Sequence, residues 1–204
     1  MEIIFFIAVL VFSVVLHEVA HGYMALFLGD PTAKLAGRLT LNPIPHVDPL
    51  GSLILPGLMS LIPGGIIFGW AKPVPFNPYN LRAGKWGPAL VAIAGPVSNF
   101  LIAVVFAVVI RSATDLGLSG EVVKLSSMIV MMNIALALFN LIPVPPLDGS
   151  KILFAVLPYR LRYIENMLES NQLILILVVI FGASALISPL IGILFTLFTG
   201  LPLA

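Results

Sequence analysis

The chain has 204 residues, 60% of them hydrophobic and 9% charged, with a formal net charge of +1 and no cysteine. A soluble domain carries about 25% charged residues, so this is the composition of an integral membrane protein, and its near-neutral charge gives nucleic acid nothing to bind. Without cysteine there are no disulfides, thiolate nucleophiles, iron–sulfur clusters or cysteine-held zinc, and any transition metal must be held by His, Asp or Glu.

The first apolar run, Ile3–Leu28, is long enough to span a bilayer and is stopped by Gly29-Asp30-Pro31. No Lys or Arg precedes it and it is too long for the apolar core of a signal peptide, so it is expected to be a retained span. Within it lie His17, Glu18 and His21, at a depth where such groups cost several kcal/mol each. The His-Glu-x-x-His spacing sets two imidazoles one turn apart on one helix face with a carboxylate beside them, a zinc-hydrolase pattern. Two other readings compete with it: a histidine pair hydrogen-bonded between helices, and a proton or metal-ion transporter using the same polar cluster.

After this span, Lys34–Leu41 alternates loosely, as the edge of a short β-hairpin would, and such an edge suits pairing with an unwound substrate. Leu50–Phe68 is apolar but broken by Gly51, Pro56, Gly57, Pro63, Gly64 and Gly65, which predicts a re-entrant or membrane-surface loop rather than a clean span. Lys72–Asn80 carries three prolines and reads as an extended polar segment. Further spans are expected at Gly87–Ile110, at Leu125–Leu141 and at Leu173–Phe198. Ser170 or Asn171 is the expected N-cap of the last, which Gly182 and Ser188-Pro189 interrupt into one kinked span or two short ones. The expected architecture is an all-α polytopic membrane protein of four to five segments, a single domain over 1–204, with a short β-hairpin or re-entrant region after the first helix.

Charge gives the orientation. With the N-terminus outside, Lys34, Arg38, Lys72, Arg82, Lys85, Lys151, Arg160 and Arg162 fall on the cytoplasmic side, and only Arg111 and Lys124 fall outside. A catalytic zinc needs at least three protein ligands, so a third must join His17 and His21. Asp30, His46, Asp48, Asp115 and Asp148 are the candidates. His17 lies about 20 Å along its helix from Ile3, near the cytoplasmic face to which the third span returns, and this depth favours Asp148. Glu18 is placed to act as general base. Asn99 and Asn140 are candidate oxyanion or substrate-binding donors. The His46–Asp48 loop is a candidate gate over the site or an alternative ligand source.

Three motifs together resemble the site-2 protease family of intramembrane zinc metalloproteases: the His17–His21 helix, Gly95-Pro96-Val97-Ser98-Asn99, and Leu147-Asp148-Gly149. The segments Leu41–Gly51 and Phe68–Pro75 resemble a compact bacterial and archaeal branch. Ser150 departs from the pattern, in which a second glycine often follows. The resemblance implies one Zn2+ held by His17, His21 and Asp148, with Asn99 near the site. It also implies single-pass transmembrane protein substrates in a lipid bilayer and a multi-pass location in a prokaryotic cell membrane, while the charge count and span parity put the site toward the cytoplasm. No segment is long enough for the PDZ or CBS domain that many members carry. Substrate selection is then expected from the membrane core, its loops or a partner protein.

Overall fold

The computed structural model describes residues 2–61 and 69–202, the side chains at 60, 181 and 183–186 excepted. Pro63, Gly64, Gly65 and Phe68 of the expected re-entrant loop lie outside the described residues. Among the described residues the chain forms eight α-helices and no strand: α1 (Glu2–Phe27), α2 (Thr32–Leu35), α3 (Leu55–Ser60), α4 (Gly87–Arg111), α5 (Gly120–Asn140), α6 (Asp148–Val156), α7 (Arg162–Ser170) and α8 (Gln172–Thr199). Three helices, α1, α4 and α5, are long and apolar enough to cross a membrane, and a 73° bend separates α7 from the first part of α8. By these helices the protein is a multi-pass membrane protein, all-helical among its described residues.

Helix α4 is the centre of the bundle and packs against α1, α5, α6 and α8. Its buried face is built from small residues, Ala89, Ala92, Gly95, Ala103 and Ala107, which let neighbouring backbones approach closely. Ala103 and Ala107 form one apolar cluster with Val130 and Ile134 of α5 and Phe195 of α8. The outer faces are apolar: Ile3, Leu101, Val105 and Val178 are each more than half exposed, while Ser13, Asn99, Ser126 and Asn133 are buried. This inside-out arrangement is what lipid requires of a spanning bundle.

The ends of the elements follow local chemistry. Helix α5 starts at Gly120, five residues before the expected Leu125, because the Ser119 hydroxyl accepts the Val122 N–H and caps it. The expected hairpin edge over Lys34–Leu41 is replaced by α2 and a run of bends. Asp30 Oδ1 accepts both the backbone N–H (3.2 Å) and the hydroxyl (2.6 Å) of Thr32, which turns the chain into a helix directly after α1. The amides of Leu35, Ala36, Gly37 and Arg38 then bond to carbonyls of residues 31–34, so none is left for a strand partner. Ser170 and Asn171 do not cap α8. Both side chains donate back to the Met167 carbonyl, closing the end of α7 instead. The described part of the expected re-entrant stretch is a π-helical turn over Pro49–Ile54 that runs into α3.

Candidate metal centre

Two helices supply the clustered side chains. Helix α1 supplies His17, Glu18 and His21, and α6 supplies Asp148 as its first residue. Asp148 Oδ2 lies 3.1 Å from His17 Nε2 and 3.2 Å from His21 Nε2, and the three ligand atoms all fall within 4.8 Å of one another. Donors about 2.0–2.1 Å from a tetrahedral zinc sit roughly 3.3 Å apart, so this donor set fits that ion. The two imidazole rings meet edge to face, with centroids 4.6 Å apart and planes at 89°. Of the expected third ligands, Asp148 is the one that the fold brings to the histidines.

Helix α4 makes room for the rings. A Cβ on Gly95 would lie 2.5 Å from His21 Cε1 and Nε2 and 2.6 Å from His17 Cε1. Behind the rings, His21 Nδ1 is 2.7 Å from the Val91 carbonyl and His17 Nδ1 is 2.6 Å from Asn99 Oδ1. Asn99 is fully buried, and its amide nitrogen donates to Asn133 Oδ1 at 2.9 Å. Asn140 donates to the Leu136 carbonyl at the end of α5 and lines the central cavity. Gly149 and Ser150 are buried where α6 leaves α5, and the Ser150 hydroxyl is satisfied by the Leu147 carbonyl at 2.7 Å. A serine at this point therefore leaves the start of α6 intact.

Glu18 faces an extended segment, residues 69–77, that lies along the site. The Val74 N–H donates to Glu18 Oε2 at 2.8 Å. The alternate amides of Trp70 and Lys72 donate to the carbonyls of Gly51 and His46, and Pro73 and Pro75, which flank Val74, carry no N–H. His46 is only 2% exposed, and its Nε2 lies 3.0 Å from the Thr40 carbonyl. Asp48 accepts the Gly51 N–H at 2.7 Å and caps the π-helical turn. Asp30 is fully buried and accepts hydrogen bonds from Thr32, Asn77 and Asn80, tying the far end of this segment to α1. His46, Asp48 and Asp30 thus sit in the scaffold of the segment and are not among the three clustered residues.

The site opens on a cavity of about 630 Å³ bounded by α1, α4, α5, α6, the start of α8 and the 69–76 segment. Its polar lining, besides the clustered residues and Glu18, includes Asn140, Lys151 and Gln172. Sequence reasoning missed Val74 and Asn133. A backbone amide leaves no mark in sequence, whereas Asn133 is an amide in an apolar span and carries the signal that any polar residue at membrane depth carries.

The chain is similar in sequence to known proteins. The model of Peptidase family M50 matches residues 110–183. The chain is similar to "Putative zinc metalloprotease YwhC" of Bacillus subtilis (strain 168), 38% identical over 180 residues that cover 85% of this chain and 78% of that protein. It is 32% identical over 139 residues to "Putative zinc metalloprotease Rip2" of Mycolicibacterium smegmatis, covering 67% of this chain and 51% of that one. It is 28% identical over 154 residues to "Zinc metalloprotease MJ0392" of Methanocaldococcus jannaschii, covering 76% and 34%. No solved structure matches the chain significantly. With its zinc-type donor set and this kinship, the chain belongs to peptidase family M50, the site-2 proteases, and is a zinc metalloprotease.

Proposed function

We propose that the chain is an intramembrane endopeptidase: one transmembrane domain over 1–204 that cuts peptide bonds in or near the transmembrane segments of single-pass proteins. In this reading the site opens toward the cytoplasm of a prokaryotic cell. The observation that carries it is the convergence of His17, His21 and Asp148 beside Glu18 on a cavity inside a bundle with an apolar outer face. Eight of the ten basic residues lie on the side of the loops after α1 and α5, which supports the orientation.

His17, His21 and Asp148 would hold the zinc, which when bound supplies a polarised carbonyl and an acidified water. Glu18 Oε2 is occupied by the Val74 N–H, so the carboxylate is held in one orientation and its other oxygen takes the proton and returns it to the leaving amine. Asn140 faces the cavity from the end of α5 and is the candidate donor for the oxyanion. The His46–Asp48 loop acts at one remove. It carries the carbonyl that holds Lys72, so its position is passed to the segment bearing Val74.

The test is Glu18→Gln in purified full-length protein with a transmembrane reporter substrate. Zinc content at the wild-type level with cleavage reduced by about 10²-fold or more supports the assignment. Equal cleavage by both proteins overturns it.

A further inference from the structure

A chain of buried amides runs from the backbone of α5 to the back of His17, crossing three helices. Asn133 Nδ2 donates to the Ile129 carbonyl at 2.9 Å and to Ser13 Oγ at 3.0 Å, Asn99 Nδ2 donates to Asn133 Oδ1 at 2.9 Å, and Asn99 Oδ1 lies 2.6 Å from His17 Nδ1. Asn99 and Asn133 are fully buried, and Ser13 is 3% exposed.

The direction of this chain is forced. A backbone carbonyl only accepts, so the Asn133 amide nitrogen must face Ile129. Asn133 Oδ1 then faces Asn99 and demands a donor, which places the Asn99 amide nitrogen there. Flipping Asn99 would set two oxygens 2.9 Å apart with no proton between them. Asn99 Oδ1 is left facing His17, where it can only accept. His17 therefore carries a proton on Nδ1, which leaves Nε2, on the Asp148 side, as the nitrogen open to a metal. His21 reaches the same state in one step, because the Val91 carbonyl accepts from its Nδ1.

We infer that Asn133 and Asn99 are positioning residues that fix the tautomer and ring orientation of His17, with the Ile129 carbonyl of α5 as the origin of the signal. This rests on the reading of His17, His21 and Asp148 as the zinc ligands. Neither asparagine touches the reacting atoms. Their effect is on how tightly and through which nitrogen His17 binds metal, as expected of the partner behind a ligating imidazole.

The test uses purified full-length protein in micelles, zinc as the probe, and competition against a chromophoric chelator. Asn133→Leu keeps the approximate size, removes the relay and is expected to weaken zinc binding by about 10- to 100-fold. Ser126→Ala, another buried polar change on α5 but off the chain, is expected to leave affinity within about threefold, since its side chain takes no part in the hydrogen bonds that reach His17. A wild-type chain that binds zinc while Asn133→Leu matches it within about threefold overturns this inference alone. A wild-type chain that binds no zinc overturns the metal site and the inference with it. A second measurement needs no variant: 15N NMR of histidine-labelled, zinc-loaded wild type should show the His17 proton on Nδ1 and the metal on Nε2. The reverse assignment overturns the proposal.

Discussion

At the scale of single residues, the site depends on one missing methyl group. Gly95 lets α4 pass within contact distance of both imidazoles, and any Cβ there would lie 2.5 Å from the His21 ring. The neighbours are rings held from behind by hydrogen bonds, so they cannot swing away without losing those bonds. Gly95→Ala is therefore expected to lower bound zinc well below one per chain and to abolish cleavage while the bundle still folds; full zinc occupancy by metal analysis would contradict this. His17, Glu18 and His21 were legible in the sequence because helical spacing alone sets them on adjacent faces. Asp148 needed span parity and depth, since 131 residues separate it from His17. Val74 was not legible at all, because its contribution is a main-chain N–H. His46 could be read as a solvated or gating loop residue, and its burial against Thr40 becomes visible only once the loop is folded.

At the scale of elements, apolar length marked the main helices to within a few residues, and errors came where side chains compete with periodicity. Ser119 lengthened α5 backwards. Asp30 converted an alternating stretch into a helical turn by taking two hydrogen bonds from Thr32. Asp30 is the hub of this region, and its charge state has a consequence. Burial pushes its carboxyl up, but hydrogen bonds from Thr32, Asn80 and Asn77 outweigh burial and hold it below the ordinary 3.8. A carboxyl depressed in the folded state binds more protons when unfolded. Its contribution is present in full above the unfolded pKa, near 4, and is lost as pH falls through the folded value. Asp30→Asn in metal-free protein should cost about 1–3 kcal/mol at pH 6, and the difference in melting temperature from wild type should shrink toward pH 3. A difference that stays constant over that range would show that the charge is not what holds residues 77–80 to α1.

At the scale of the molecule, the metal site joins elements that meet at few other points. Helices α1 and α6 approach through His17, His21 and Asp148, and a bound ion would lock that approach. A ligand that binds only the folded state stabilises it by about 2.7 kcal/mol at a free concentration one hundred times its dissociation constant. Chelation is expected to lower the melting temperature of wild type and to leave that of Asp148→Asn nearly unchanged, which differential scanning in micelles can check. Equal shifts in the two proteins would mean that zinc stabilises from elsewhere. The inside-out arrangement was legible from composition, because 60% hydrophobic content cannot be hidden in a chain of this length. Which polar groups point inward was not, since that depends on how α1, α4 and α5 are rotated against one another.

The acceptor behind His21 is a main-chain carbonyl, so no substitution at residue 91 deletes it, although the identity of that side chain is free to vary. What the site cannot tolerate is a change of count. One residue inserted or deleted between Val91 and Asn99 turns everything beyond it by about 100° around the helix axis. That would sweep Gly95 or Asn99 off the face that meets the histidines, while the same edit in the apolar stretch beyond Ala107 would disturb lipid contacts and bundle packing but leave these three positions in phase. Indel scanning along α4 should thus map the site more sharply than substitution scanning, with an intolerant window that runs from Val91 to Asn99.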